Sequence, residues 1–130
     1  MAEAQIGYWK MKYEMLVDRP IRYISEVIGH LASAALNSAH PDYHSGHSQT
    51  SGAFVAVLSS LFGTNYKLTV RTYDNPGVAP RPYNSFNEMC DDIGKSRVYR
   101  GIHYTYSCVE GAKQGGKIGE NILNTLKFKK

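Results

Sequence analysis

Three short blocks of polar residues, spread over most of the chain, have to be brought together by whatever fold this sequence adopts. The blocks are Lys12 with Arg19-Pro20, then Ser45-Gly46-His47, then Ser96-Arg97-Val98-Tyr99-Arg100-Gly101-Ile102-His103. They supply cations, a hydroxyl, flexible backbone and imidazoles, which are the groups that hold a tetrahedral oxyanion. The fold must therefore collect residues from both halves of the chain around one anion.

The first third of the chain predicts two helices separated at Pro20. Ala4 to Val17 reads as the first helix, and Pro20 disfavours helical dihedrals at the residue before it. Ile21 to Leu36 reads as the second, with His30 on its surface. Apolar residues at three- and four-residue spacing predict that the second helix buries Ile24, Val27, Ile28, Leu31, Ala34 and Ala35.

Three further helices are predicted after a polar loop. The third runs from Gly46 to Phe62 and is stopped by Gly63. Ser85 with Glu88 forms a capping-box pattern that opens the fourth, from Phe86 to about Tyr99. The last runs from about Ser107 to Leu126, before a basic tail expected to be solvated.

The fold class that follows is all-α. We predict a helical bundle of four to five helices in a single domain over residues 1–130. Residues 63–84, rich in glycine, proline and asparagine, form the one long irregular connection, with at most one short extended piece between Lys67 and Tyr73.

Composition narrows the range of partners. The net charge of +4 is compatible with an anionic substrate, but the basic residues are scattered and accompany no nucleic-acid recognition motif. No stretch approaches 18 apolar residues, so no membrane span is expected. The first ten residues lack a signal-peptide pattern, so the chain is expected to be soluble, and periplasmic or secreted if an upstream part is missing.

The order and spacing of the three blocks resemble the signature of vanadium-dependent haloperoxidases and type 2 phosphatidic acid phosphatases. That signature reads Lys, six residues, Arg-Pro; then Pro-Ser-Gly-His; then Ser-Arg, three residues, Gly, one residue, His, three residues, Asp. The match spans residues 12–107 and is most similar to bacterial vanadium-haloperoxidase-like proteins. It departs from the pattern at His44, where proline is usual, and at Ser107, where aspartate is usual.

The resemblance implies a vanadate cofactor and a role for each matched residue. His103 is implied as the residue that bonds vanadium, and His47 as a second catalytic group that assists protonation. Oxyanion binding is implied for five others, Lys12, Arg19, Ser45, Gly46 and Arg97. The implied reaction is the oxidation of halide by hydrogen peroxide, so the expected partners are peroxide and small anions, namely halide, vanadate or phosphate.

A soluble acid phosphatase acting through a phosphohistidine is the first alternative that the resemblance allows. There, His103 is the nucleophile and His47 the general acid. Ser107 favours the haloperoxidase, because a serine hydroxyl can hydrogen-bond an imidazole but cannot offset its positive charge. We therefore predict that phosphatase turnover suffers more than vanadate binding.

Two further classes stay open. His40, His44 and His47, with His103 as a fourth imidazole, have the residue types of a zinc site, although no helix aligns the first two. The other class is a non-catalytic oxyanion-binding protein.

The family usually carries additional helices before the first block. The chain is therefore expected to be a truncated version of the family bundle, with exposed apolar surface and a tendency to form homo-oligomers. Its two cysteines, Cys90 and Cys108, are too few for a disulfide framework, and Cys90 is not expected to act as a nucleophile.

Overall fold

The computed structural model describes residues 1–29, 38–72, 77 and 79–126. The described elements are α1 (Ala2–Met15), α2 (Pro20–Tyr23), a π-helical turn (Ile24–Ile28), α3 (Gly46–Phe62), β1 (Leu68–Val70), β2 (Arg81–Tyr83), α4 (Phe86–Tyr99) and α5 (Thr105–Leu126). The prediction of a helical bundle is confirmed. Helices dominate the described residues, and the strands form one small two-stranded sheet.

The break between the first two helices occurs where proline chemistry predicts it. Arg19 is extended (φ −82°, ψ 148°) and Pro20 opens α2. The described part of the second helix ends early, because Gly29 takes a left-handed conformation (φ 75°) after the π-helical turn. Its predicted continuation to Leu36, with His30, lies outside the described residues, as does the tail Lys127–Lys130.

The predicted core face of this second helix is wrong for two residues. Val27 and Ile28 are 63% and 58% exposed. Backbone bonds in a π-helical turn run from residue i to i+5, so apolar residues spaced for an α-helix no longer share one face. Leu31, Ala34 and Ala35 lie outside the described part of the chain.

Close contact between α3 and α5 forms the centre of the bundle. Gly115 of α5 lies so near α3 that an added Cβ would overlap the main-chain oxygen of Gln49. Gly52 of α3 lies equally close to α5, where a Cβ would overlap the oxygen of Ala112. The two backbones touch directly, and this fixes the N-terminus of α3 relative to α5.

Ser85 caps α4 as predicted. Its Oγ accepts the Glu88 N–H at 3.1 Å. In a capping box, the Glu88 carboxylate accepts the main-chain N–H of the N-cap residue, Ser85. Here it accepts the N–H of the preceding residue, Asn84, at 2.6 Å.

The connection at 63–84 contains one strand more than predicted. β1 and β2 pair in antiparallel register, with Thr69 opposite Pro82. In the sequence, the proline of the β2 segment predicts irregular structure there. A two-stranded sheet tolerates Pro82, because each strand is an edge whose outward N–H groups need no ladder partner.

α1 and its C-cap residue expose apolar side chains. Ile6 is 70% exposed, Tyr13 is 61% and Leu16 is 66%. The expected exposed apolar surface is therefore present, and self-association remains a prediction. Among the described residues, no helix combines the length and the apolar character that crossing a membrane requires.

Candidate oxyanion site

The second block forms the N-terminus of α3. Ser45 is the N-cap, and its Oγ accepts the Ser48 N–H at 3.3 Å. The first main-chain bond of the helix runs from Gln49 N to Ser45 O at 3.0 Å. The N–H groups of Gly46 and His47 precede that bond, so they remain available to an anion at the positive end of the helix.

The third block reverses direction at Gly101. This glycine is left-handed (φ 66°), and the N–H of Ile102 folds back onto Arg97 O at 3.1 Å. The turn brings His103 to the same side as Arg97, which an unbroken helix would not do for residues six apart. The predicted end of the fourth helix at about Tyr99 is confirmed, and Gly101 makes the turn that follows it.

The first block lies in the interior. Lys12 is 1% exposed, and its Nζ donates to the carbonyls of Pro41 and Asp42, both at 2.8 Å. Arg19 is 4% exposed and donates from Nε to His40 O at 2.8 Å and from Nη1 to Ile102 O at 2.9 Å. Arg19 Nη2 also contacts His40 Nδ1 at 3.0 Å and Pro41 O at 3.4 Å. Both cations therefore hold loop groups, and each keeps one N–H for a ligand.

The three blocks meet at one cavity of about 210 Å³. Six of the seven predicted site residues line it, namely Lys12, Arg19, Gly46, His47, Arg97 and His103. Ser45 lies beneath the surface instead, fully buried, with its hydroxyl engaged by Ser48.

Sequence reasoning missed the carboxylate of this site, which belongs to Asp42. The side chain is fully buried, and its Oδ1 accepts a hydrogen bond from Nδ1 of His103. The sequence allows a hydrogen bond between the Ser107 hydroxyl and this imidazole. Instead, Ser107 Oγ donates to the main-chain oxygen of Asp42 at 3.4 Å. A carboxylate therefore does lie beside His103, contrary to what serine at position 107 predicts. An acidic residue three positions before the second block was the available signal.

The two imidazoles occupy different environments. Burial lowers the pKa of His103, and the Asp42 hydrogen bond opposes that shift. His47 is exposed at the mouth of the cavity, where partial desolvation and then the charge of Arg97 lower its pKa. Its Nε2 lies 3.5 Å from Arg97 Nη1. A lowered pKa favours the neutral form of each ring, and a neutral His103 that donates from Nδ1 to Asp42 leaves the lone pair of Nε2 for a ligand.

Two aromatic residues of the cavity wall were also missed. Tyr8 and Trp9 line the cavity from α1, four and three residues before Lys12. Trp9 packs edge-on against His40, with ring centroids 4.8 Å apart. Helical spacing from Lys12 was the signal that could have identified both.

The zinc alternative finds no support in the described part of the chain. No three histidine, cysteine or acidic side chains there gather to hold a metal ion. His44 points its Nδ1 to Gln49 Oε1 at 3.1 Å, and His40 contacts Arg19 through Nδ1 at 3.0 Å. Each of these two rings therefore bonds to a different residue.

The cysteines lie outside the oxyanion cavity. Both are unpaired thiols that line a mostly apolar groove of about 320 Å³ between α4 and α5. Burial raises the pKa of Cys90 to about 11, so its thiol stays protonated at neutral pH. This agrees with the expectation that Cys90 is not a nucleophile.

We expect phosphate affinity to fall about tenfold as the pH rises through about 8. Burial, followed by the charge of Arg19, lowers the pKa of Lys12 from 10.5 to about 8. Lys12 therefore loses its charge above that pH and no longer attracts an anion. The unfolded chain binds more protons between these two values, so this group's contribution to stability rises with pH there.

Calorimetric titration with inorganic phosphate between pH 6.5 and 9.5 measures this step. Lys12→Met should abolish it. Lys10→Met is the matched control, because Lys10 is 73% exposed and pairs with Glu14 on the surface. An unchanged pH dependence in Lys12→Met would refute the assignment.

The chemistry of the cavity fits a tetrahedral oxyanion such as vanadate. Three cationic side chains, the N-terminus of α3 and one imidazole nitrogen converge there, and the carboxylate of Asp42 is turned away behind His103. Lys12, Arg19, Arg97 and the α3 N–H groups would hold the oxygens, and His103 Nε2 would face the central atom.

Comparison with known proteins identifies a family. Residues 30–129 match the family model described as VCPO second helical-bundle domain. A solved bacterial vanadium-dependent iodoperoxidase is 35% identical with a TM-score of 0.87, and the match covers 95% of this chain and 30% of that one. A search of curated protein sequences returned no match.

A second structure shares the fold. An apo-type bacterial vanadium-dependent chloroperoxidase superposes with a TM-score of 0.71 at 17% identity, over 91% of this chain and 32% of that one. The chain thus spans about a third of the length of both structures. The family-model match and the 35% identity together decide its membership: the chain belongs to the vanadium haloperoxidase family, in the region of its second helical-bundle domain.

Proposed function

We propose that this chain carries the vanadate site of a haloperoxidase that oxidises halide with hydrogen peroxide. One observation carries the proposal. His103 is buried with Nδ1 anchored to Asp42, and the cavity in front of it is lined by Lys12, Arg19 and Arg97. Vanadate held there supplies the Lewis acid that activates peroxide toward halide.

The chain's own residues bind the anion and transfer one proton. Arg97 is the most accessible of the three cations, and its planar guanidinium suits two oxyanion oxygens. The N–H groups of Gly46 and His47 add preorganised dipoles. His47 is exposed at the mouth of the cavity and its lowered pKa favours the neutral form, so it can take a proton from an incoming peroxide and return it to a product.

Iodide is the halide that we propose first. The support is the 35% identity to a bacterial protein described as an iodoperoxidase. The test is oxidation of iodide and bromide by hydrogen peroxide after incubation with orthovanadate. Vanadate-dependent oxidation that favours iodide supports the proposal, and oxidation independent of vanadate refutes it. Anion binding without turnover would favour the non-catalytic alternative.

Arg97→Ala should weaken orthovanadate binding by about 1.5 to 3 kcal/mol, the range for a hydrogen bond to a charged group. Arg97→Lys should recover only part of this, because lysine lacks the planar fork. Calorimetric titration measures the change. Arg81→Ala is the matched control, since Arg81 of β2 pairs with Asp92 of α4. Equal affinity in Arg97→Ala and the wild type would refute this role.

Phosphomonoester hydrolysis is a second candidate, favoured by the Asp42 contact. A carboxylate bonded to Nδ1 stabilises the positive charge that a nucleophilic His103 acquires. Nε2 would form a bond to phosphorus while the ester P–O bond breaks, and the leaving oxygen takes a proton from protonated His47. Water then attacks phosphorus and gives a proton to the now neutral His47, while the N–P bond breaks, its electron pair returns to Nε2 of His103 and phosphate is released.

The two candidates are separated by assaying one preparation for both activities. Hydrolysis of an aryl phosphate without vanadate, together with no halide oxidation in its presence, would favour the phosphatase. Because the pKa of His47 is lowered, its protonated form is more abundant in acid, so hydrolysis should be measured at acid pH.

A further inference from the structure

The carboxylate beside His103 comes from a part of the chain that the family pattern does not mark. Asp42 lies 61 residues earlier, in the loop that precedes α3. The two side chains are 0% and 4% exposed, so water does not screen their contact. The pair is thus a tertiary contact within the core.

The loop that presents Asp42 is held by groups from the first block. Lys12 Nζ binds the carbonyls of Pro41 and Asp42, and Arg19 Nε binds His40 O. The main-chain N–H of Asp42 donates to Val17 O at 2.7 Å. These bonds fix the backbone of Asp42 through both its N–H and its carbonyl group. The first block therefore also positions the carboxylate.

Position 107, where the family pattern has aspartate, lies against the same loop. Ser107 is fully buried, its Oγ donates to Asp42 O, and its own carbonyl accepts the Ser45 N–H at 3.1 Å. An acidic side chain at 107 would lie beside Asp42 in the interior. Two buried carboxylates repel each other, so the site accommodates one of them.

We infer that Asp42 is the positioning residue of His103. From the loop before α3, it supplies the carboxylate that the family pattern places at position 107. It accepts the Nδ1–H bond, which fixes the tautomer and leaves the Nε2 lone pair toward the cavity. Its second oxygen, Oδ2, is buried and has no hydrogen-bond partner among the described residues, so His103 is the described side chain that this carboxylate hydrogen-bonds. The use of that lone pair in binding vanadate rests on the proposed function.

The tautomer of His103 is the first readout, and it needs no cofactor. Long-range proton–nitrogen NMR spectra of the ligand-free wild type should show His103 as the Nδ1–H form. Asp42→Asn can donate its amide N–H to Nδ1, so the ring should shift toward the Nε2–H form. Asp92→Asn is the control, because Asp92 of α4 accepts hydrogen bonds from Arg81 and Tyr83 of β2, away from the cavity. An unchanged tautomer in Asp42→Asn would overturn the inference.

Anion binding is the second readout. Asp42→Asn should bind orthovanadate about 10- to 100-fold more weakly, the usual effect of losing a partner of a metal-bound histidine. Adding Ser107→Asp to Asp42→Asn should recover about tenfold or more, whereas Ser107→Asp alone should lower stability. A purely structural Asp42 predicts no such rescue, so a double variant as weak as Asp42→Asn would also overturn the inference.

These readouts separate the inference from the proposed function. If Asp42→Asn changes the tautomer and weakens orthovanadate binding while the wild type oxidises no halide, the positioning role stands and the haloperoxidase proposal fails. If the wild type oxidises iodide and Asp42→Asn matches it in tautomer, affinity and rate, the inference fails and the proposed function stands.

Discussion

Gly115→Ala should destabilise the domain by about 3 kcal/mol or more, and Gly116→Ala should not. A Cβ at Gly115 would overlap the main-chain oxygen of Gln49, and backbone cannot move aside as a flexible side chain does. Overpacking of this kind costs about 1 to 3 kcal/mol and occasionally more. The contact with α3 lies at the centre of the bundle, so we expect the upper end.

Gly116 is a matched control because it occupies the next position on α5 and nothing lies within 4 Å of its added Cβ. Alanine there should stabilise the helix by about 0.5 to 1 kcal/mol. Urea unfolding followed by circular dichroism compares the two variants. Equal urea midpoints for the two variants would contradict the close contact between α3 and Gly115 of α5.

His103→Ala should abolish vanadate-dependent oxidation and also destabilise the fold by about 1 to 3 kcal/mol. The stability loss arises because Asp42 would remain buried without its hydrogen-bond partner. The loss of activity has a separate cause, since the imidazole that faces the cavity is absent. Activity and urea unfolding must therefore be measured on the same preparations.

The double variant His103→Ala with Asp42→Ala separates the two effects. Removing both polar partners avoids leaving a buried group unsatisfied, so it should regain much of the lost stability. Oxidation should stay at background, because the ring is still missing. Activity in either variant would remove His103 from the proposed mechanism, and an unstable double variant would show that the pair is not the source of the loss.

Helix ends were the part of the fold that short-range signals predicted best. α3 begins at Gly46 and ends at Phe62, the limits inferred from the residues around Ser45 and Gly63. Ser85 likewise marks the start of α4. Such ends are decided by N–H and carbonyl groups within a few residues of the cap, so the sequence contains the information locally.

Patterns that depend on distant partners were predicted less well. Val27 and Ile28 have core-like spacing but are exposed on a π-helical turn. β2 was missed because Pro82 argues against a strand until β1 is available to pair with it. In both cases the same local pattern is compatible with two outcomes, and tertiary packing decides between them.

The sequence by itself determined which residues to expect at an oxyanion site, since the resemblance of the three blocks to the family signature named seven residues, and six of them line one cavity. Only the tertiary structure decided how they are used. It assigned Lys12 and Arg19 to the loop before α3 as well as to the cavity, and it paired His103 with Asp42. Charge and hydrogen-bonding capacity belong to a residue wherever it lies, but a buried side chain's partner depends on which distant segment packs against it.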